Sequence, residues 1–408
     1  MSLHARGGLY CLGWLVAVAC AGPVPGGSRP GDTASPGSSG RGIPFGPATE
    51  EQVQRGRQLV LARDCGACHG GGTNPTSAAW LAGRPGPAPF DSVGPFKLWP
   101  PNLTPDAQTG SGRYSARQLF NALRYGLRPT TTPDVQVTSA VPGEGGHPAR
   151  PDYLSPAMPW MYWRFMTDQE LWDIAAYLQH GVRPVRQQVP ASGSPPDRWA
   201  SVLGADKIGT HVMPPFPTQH EELRQPDRRD EILRGRALVA STACSGCHGG
   251  ATHSAQAGWL AGAGTAPGAP FDEFQIGPFR TRPRNLTPDN TTGMGRFSER
   301  QIFNALRYGL RPGETPDVEI TSTVRGEGNF PRSPKYLAPP MPWPAWRHLT
   351  DQQLRDMAAY LKHGVKPVRN RVADSEGPPD FWASEYTPQK IGTHPAPAFP
   401  TAREAFRP

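Results

Sequence analysis

The chain has 408 residues, which is enough for two or three domains of ordinary size. Apolar residues make up only 37%, while 47 Gly and 50 Pro form about a quarter of the chain, a composition that argues against a large aliphatic core. The net charge is +8, but the basic residues are mixed with 34 acidic ones and form no basic aromatic stripe, so a nucleic-acid partner is not expected.

The first 20 residues are predicted to be a signal peptide, because an apolar run too short to span a bilayer follows a weakly basic start. Its end approximates a bacterial lipoprotein signal, with small Ala19 before Cys20, so Cys20 is a possible lipidation site. Ordinary cleavage without a lipid stays open. Residues 21–47 are rich in Gly, Ser and Pro and are predicted to be a flexible linker. No later segment resembles a transmembrane helix, so we expect an exported protein, periplasmic or lipid-anchored to a bacterial membrane.

The rest of the chain is an internal duplication. The segment FNALRYGLRP occurs unchanged at Phe120–Pro129 and at Phe303–Pro312, and WLAG, NLTPD, AAYL and KIGTH also recur in the same order. The repeat predicts two domains of one kind, at 48–219 and 220–408, with a period too long for a solenoid. The tails that contain KIGTH have no predicted role.

Each unit is predicted to be all-α, with three main helices joined by long Pro/Gly-rich loops and no convincing series of strands. Hydroxyl residues followed three positions later by Glu or Gln predict the helix starts, and glycines in left-handed conformation are predicted at the ends. The capping pairs are Thr49/Gln52, Ser115/Gln118, Thr167/Glu170, Ser298/Gln301 and Thr350/Gln353, and the glycines are Gly126, Gly181, Gly309 and Gly364. The predicted helices are 50–64, 116–125, 168–180, 228–243, 299–308 and 351–363.

Each unit contains one C-x-x-C-H motif, the attachment sequence for c-type haem. Two thiols add to the two vinyl groups, and the adjacent His is then held beneath the iron as its proximal ligand. The covalent attachment residues are Cys65, Cys68, Cys244 and Cys247, and the proximal iron ligands are His69 and His248. The remaining two of six cysteines lie in the signal region, so no structural disulfide is expected. A zinc site or a thioredoxin-like redox pair is the alternative for such a motif.

The distal iron ligand has several candidates. Met158 and Met341 lie in matching M-P-W segments, where a loop could bring a thioether to the iron, although a Met there could also fill a gap in the core. Met161 and Met166 have no Met counterpart in the second unit. A bis-His arrangement and an open or water-bound iron also remain. The repeated histidines are His180 with His363 and His211 with His394.

Other repeated residues are candidates for the haem pocket. Donors to the haem propionates could be Asn102, Thr104, Arg124 and Tyr125 with their counterparts Asn285, Thr287, Arg307 and Tyr308, although turn and helix-surface roles are equally simple. Tryptophans are expected to line the porphyrin or the core: Trp80, Trp160, Trp163, Trp259, Trp343 and Trp346.

Each unit resembles a class I c-type cytochrome, with an amino-terminal helix running into C-x-x-C-H, a Met in a Pro-rich loop and a terminal helix containing AYL. A further set of motifs resembles more closely those of the cytochrome subunits of bacterial membrane-bound alcohol and gluconate dehydrogenases. These motifs are N-L-T-P-D, T-G-x-G, ALRYG, M-P-W and L-T-D-x-x-L. The first unit departs from the last motif, with Met166 where the second has Leu349. Those subunits usually have three haem domains, and two are present here. The resemblance implies Met158 and Met341 as distal ligands.

The expected function is that of an exported dihaem cytochrome that transfers electrons between redox partner proteins. It could be a subunit of a dehydrogenase or part of a respiratory chain that ends in a terminal oxidase. A dihaem enzyme of the cytochrome c peroxidase type is the main alternative. That chemistry needs one haem with an open distal site, whereas the two halves are nearly the same in sequence. The basic charge is either a solvated surface or an attraction to an acidic partner or an anionic membrane.

Overall fold

The computed structural model describes residues 47–93, 95–192, 199, 203–265, 272–376 and 381–408. The predicted signal peptide, Cys20 and nearly all of the predicted linker lie outside these ranges. Within them the protein is mostly helical and built from two similar units, as the repeat predicts. No helix in the described ranges is both long and apolar enough to cross a membrane. The domain boundary at 219/220 remains a prediction.

The main helices lie close to their predicted positions. In the first unit they are α1 (Glu50–Ala62), α2 (Cys65–His69), α3 (Ala116–Tyr125), α4 (Trp160–Trp163), α5 (Asp168–His180) and α6 (Ala205–Ile208). In the second they are α7 (Arg229–Ser241), α8 (Cys244–His248), α9 (Glu299–Tyr308), α10 (Trp343–Trp346), α11 (Asp351–His363) and α12 (Pro388–Ile391). Single 3-10 turns lie at Ser111–Arg113, Pro226–Arg228, Met294–Arg296 and Phe381–Ser384. The first and fourth predicted helices are shorter at the carboxyl end, because left-handed Asp64 and Ala243 break each helix before its C-x-x-C-H motif.

Four of the five predicted capping boxes are formed, at Ser115, Thr167, Ser298 and Thr350. At Thr49 the side chain caps the helix by accepting from the Gln52 N–H, but the reciprocal bond is absent. These caps satisfy N–H groups that have no partner inside the helix. They explain why the helix starts could be predicted from short local patterns.

The predicted left-handed glycines are confirmed at only two of four positions. Gly126 and Gly309 both have φ of 70°. Gly181 and Gly364 were wrongly predicted, since their φ values are −107° and −110°. At these two positions glycine is needed for space instead. A Cβ on Gly181 would lie 2.6 Å from the Val53 side chain of α1.

Each unit also contains a short hairpin that the sequence did not predict. The antiparallel pairs are β1 (Asp91–Val93) with β2 (Phe96–Leu98) and β3 (Phe274–Ile276) with β4 (Phe279–Thr281). Three-residue strands carry too short an alternation to stand out from a loop. The all-α description therefore holds broadly, with these two hairpins as the exception.

The core of each unit is a crossing of its first and last main helices, α1 on α5 and α7 on α11. Glycines permit the close approach. A Cβ on Gly56 would lie 1.8 Å from the Asp173 carbonyl oxygen, and one on Gly235 would lie 1.9 Å from that of Asp356. The same two aspartates bind Arg55 and Arg234 from the facing helix, each at 2.8 Å.

The tails of the two units are exchanged. Phe216, in the tail of the first unit, packs against the core of the second, and Phe399 from the end of the chain packs against the core of the first. Backbone bridges join Glu221 to Val365 and Glu404 to Val182. Each unit is therefore completed by chain from the other.

Candidate haem sites

The two C-x-x-C-H motifs each form a single helical turn, α2 and α8. A left-handed residue precedes each turn, and a glycine of large positive φ, Gly70 or Gly249, follows it. A side chain at Gly70 would collide with the backbone, because its Cβ would lie 2.5 Å from the Ala79 carbonyl oxygen. The turn places both thiols of a motif beside its His, and all four cysteines are free of disulfides.

The proximal histidines are held by backbone carbonyls. The Nδ1 of His69 lies 2.8 Å from the Pro101 carbonyl oxygen, and that of His248 lies 2.6 Å from the Arg284 carbonyl oxygen. A carbonyl only accepts, so Nδ1 carries the proton and Nε2 keeps its lone pair. An outer bond of this kind fixes the ring and favours metal binding by the other nitrogen.

Burial keeps these groups neutral. Loss of solvation lowers the pKa of His69 and of His248 to about 4. Burial also raises the pKa of the Cys65 thiol to about 12 and that of Cys244 to about 11. A neutral imidazole with a free Nε2 beside two reduced thiols is the donor set that a c-type haem requires.

The two methionine loops are built alike. Trp160 stacks on Tyr153 with ring centroids 5.6 Å apart, and Trp343 stacks on Tyr336 at 5.7 Å. Met158 is partly buried against the core of the first unit, two residues before Trp160, and Met341 against that of the second. The indole Nε1 of Trp160 is buried without a hydrogen-bond partner among the described residues, as expected beside a polar edge of a bound cofactor.

The proposed propionate donors have other partners. The amide nitrogen of Asn102 donates to the Thr109 hydroxyl and the Val185 carbonyl, and its oxygen accepts from Thr104. Asn285 repeats this arrangement. These residues clamp the N-L-T-P-D loop to the segment after the last main helix. These internal hydrogen bonds favour the turn-forming role of Asn102, Thr104 and their counterparts over donation to a propionate.

The arginine and tyrosine alternatives are also engaged. Arg124 joins α3 to α5 through the Arg164 carbonyl and Asp168. Tyr125 donates to the Val137 carbonyl at 3.0 Å. The counterparts in the second unit, Arg307 and Tyr308, bind the corresponding groups.

The repeated histidines lie in different settings. His180 bonds through Nδ1 to the Arg407 carbonyl at 2.7 Å, and His363 through Nε2 to Glu299 at 2.8 Å. The His211 ring lies edge-on to Tyr125 at 5.7 Å, and His394 contacts Arg307. The first pair thus stabilises helix ends, while the second lies near α3 and α9.

The tryptophan of each WLAG segment begins a buried hydrogen-bond chain that the sequence analysis missed. The Trp80 indole donates to the Tyr177 hydroxyl at 2.8 Å, and Tyr177 donates to Glu404 at 2.6 Å. Glu404 also accepts from Arg57. The second unit repeats this chain with Trp259, Tyr360, Glu221 and Arg236. The repeated Thr-x-x-Glu of the tails was the available signal.

The family model for cytochrome c matches residues 53–181 and again 232–364, which is most of the chain. The chain belongs to the cytochrome c family. It carries two covalently bound haem c groups, one at each C-x-x-C-H motif, and its function is electron transfer. The family membership also removes the zinc and thioredoxin-like alternatives.

Three curated relatives show the closer likeness. The gluconate 2-dehydrogenase cytochrome c subunit of Pantoea cypripedii is 27% identical over 336 residues, 80% of this chain and 62% of the relative. The fructose dehydrogenase cytochrome subunit of Gluconobacter japonicus is 29% identical over 268 residues, which are 64% of this chain and 46% of the relative. The alcohol dehydrogenase (quinone) cytochrome c subunit of Gluconacetobacter polyoxogenes is 26% identical over 324 residues, which are 78% of this chain and 56% of the relative. The chain thus spans about half the length of these relatives.

Proposed function

We propose that the chain is an exported electron-transfer subunit of a bacterial dehydrogenase, with Met158 and Met341 as the distal iron ligands. The observation that carries the proposal is the equivalence of the two sites. In both units the proximal His is held through Nδ1, and the Met precedes a Trp stacked on a Tyr. Haem c supplies one-electron chemistry when its iron cycles between ferrous and ferric states.

The protein's own residues favour a closed, outer-sphere site. His/Met ligation raises the reduction potential relative to more basic ligand sets and occupies both axial positions. Trp160 and Trp343 are buried, and each lies two residues after a partly buried methionine. A site of this kind passes electrons on without binding a substrate at iron.

The peroxidase alternative needs the opposite arrangement. It requires one iron with an open distal position beside an acid/base residue, and hence two unlike halves. The surroundings of Met158 and Met341 are alike in the short helix that follows and in its stacked aromatic pair. This likeness supports electron transfer at both sites over catalysis at one.

The axial ligands are tested by Met158→Ala and Met341→Ala. Each variant should lose about half of the weak far-red absorption that sulfur-to-iron charge transfer gives in the ferric protein, and only its own haem should bind carbon monoxide. Met166→Leu is the matched control, because Leu349 stands at this position in the second unit, and it should keep the full band. A full band in both alanine variants would refute His/Met ligation.

A dehydrogenase partner is proposed because the three relatives are named as cytochrome subunits of gluconate, fructose and alcohol dehydrogenases. The chain's basic charge suits an acidic partner surface. Membranes of the source cells should reduce both haems when given one such sugar acid, sugar or alcohol under anaerobic conditions. The Cys65→Ser/Cys68→Ser variant, expressed in a strain that lacks the native protein, has only the second haem. That haem should still be reduced in its membranes if it receives electrons directly from the dehydrogenase. Absence of haem reduction with every substrate would contradict the proposed partner class.

Export and anchoring are proposed from the leader and Cys20, which lie outside the described residues. Cys20→Ala should abolish a diacylglyceryl modification and release the protein from the membrane fraction. A mature amino terminus at Cys20 or later without added lipid mass would contradict anchoring.

A further inference from the structure

Arg63 is a buried arginine at the junction of the two units. It follows α1 directly and precedes Cys65 by two residues, and only 8% of it is exposed. Its Nη2 donates to the Ser241 hydroxyl of α7 at 3.1 Å. The contact spans 178 positions and therefore joins one haem-attachment segment to the other.

The surrounding packing brings the two attachment segments together. Helix α1 of the first unit contacts α10 of the second, and α7 of the second unit contacts α4 of the first. The two units therefore contact each other through equivalent pairs of helices. Ala62 is fully buried in the core of the second unit, and Ala243 packs against the core of the first. The guanidinium of Arg63 consequently acts electrostatically on both Cys65 and Cys244.

The charge of Arg63 has little compensation. Its Nε and Nη1 are buried without hydrogen-bond partners, and no carboxylate in the described ranges forms an ion pair with it. Glu170 attracts it electrostatically but forms no ion pair with it. An unpaired buried charge is costly, so its presence needs a physical reason.

The fold itself does not require a cation at this position. The counterpart of Arg63 in the second unit is Thr242, two residues before Cys244. Its hydroxyl bonds back to the Leu238 carbonyl of its own helix at 2.8 Å. The same turn into C-x-x-C-H therefore forms without a charge at this position.

We propose that Arg63 raises the reduction potentials of both haems, as one cation shared between the two attachment segments. Oxidation adds a positive charge at iron, and a nearby buried cation disfavours that state. At an effective dielectric constant of about 20, a unit charge about 12 Å from a redox centre changes such an equilibrium about tenfold. The inference shares one premise with the proposed function, which is that haem c is bound at both motifs.

Spectroelectrochemical titration of the holoprotein with Arg63→Met, Arg63→Lys and Ser241→Ala tests this inference. In Arg63→Met the ferrous-to-ferric ratio of both haems at a fixed electrode potential should fall by several-fold to about tenfold, where tenfold corresponds to 59 mV for one electron. Arg63→Lys keeps the charge and should retain most of the native potentials. Ser241→Ala removes only the hydrogen bond and should leave them unchanged. The shift should persist in 1 M salt, because a buried charge is poorly screened.

Unchanged potentials in Arg63→Met, or an equal shift in Arg63→Lys, would overturn the inference, as would a shift in one haem alone. If Arg63→Met fails to assemble with haem, Arg63→Thr supplies the residue that the second unit uses and is judged by the same titration. The two proposals can fail separately. If the reduction potentials do not shift in Arg63→Met, but the haems keep their far-red band and are still reduced by a dehydrogenase, the role of Arg63 is refuted and the proposed function stands.

Discussion

Glu404, near the end of the second unit, accepts a hydrogen bond of 2.6 Å from the hydroxyl of Tyr177 in the first unit, 227 positions away. Arg57 binds the same carboxylate oxygen at 2.6 Å, and Glu404 is fully buried. The Glu221 carboxylate makes the corresponding bonds with Tyr360 and Arg236 of the second unit. The first haem unit therefore depends on a charged group supplied by the end of the second.

Removing the Glu404 carboxylate should destabilise the protein strongly. Glu404→Ala leaves Arg57 buried and uncompensated, which typically costs about 3–5 kcal/mol. Glu51→Ala is the control, because that side chain is 85% exposed in its ion pair with Arg55 and should cost less than about 1 kcal/mol. Denaturant unfolding measures both. A free energy of unfolding for Glu404→Ala equal to that of the control would refute the network.

Deleting residues 396–408 should loosen the first unit and not the second. The deleted segment packs against the first core through Phe399 and Phe406. Hydrogen exchange followed by mass spectrometry should show lost protection in Glu50–Ala62 and retained protection in Arg229–Ser241. Loss in Arg229–Ser241 alone would contradict the tail exchange.

Gly126→Ala should open the first haem. An added Cβ would lie 2.1 Å from the Trp160 indole, and φ of 70° adds backbone strain. Trp160 would shift together with Met158, so about half of the far-red band should be lost. Gly313→Ala is the control, because its Cβ would make ordinary contacts of 3.6 Å. If Gly126→Ala lowers stability without changing the spectrum, Trp160 does not position Met158.

Glu299 should make the second unit sensitive to acid. Hydrogen bonds from Arg228 are the main cause that lowers the pKa of Glu299, with a further bond from His363. A carboxyl group whose pKa is lower in the folded protein stabilises the fold at any pH above its unfolded pKa, which is about 4.3. This stabilisation is lost as the pH falls through the folded pKa. Glu299→Gln should therefore cost on the order of 1 kcal/mol at pH 7, and progressively less as the pH falls below the unfolded value.

Unfolding at several pH values measures this dependence. Glu327→Gln, at an exposed position, should change neither the stability nor its pH dependence. A constant difference between Glu299→Gln and the native protein from pH 7 to pH 3 would contradict the assignment.

The sequence predicted what short patterns encode and missed what depends on three-dimensional topology. Capping boxes and repeated segments placed α3, α5, α9 and α11 correctly, because a helix start is satisfied within four residues. The exchange of the tails could not be predicted, since identical KIGTH segments fit either unit equally well. The role of the asparagine of N-L-T-P-D was left open for a similar reason: its partner carbonyl at Val185 is 83 positions away.

Carbon monoxide binding by the fully reduced native protein tests the central claim most directly, combined with a peroxide assay after one-electron reduction. Two irons closed by His and Met should remain low-spin, bind carbon monoxide poorly and show negligible peroxide turnover. A high-spin haem that binds carbon monoxide readily and consumes peroxide rapidly would contradict electron transfer at both sites and favour a peroxidase.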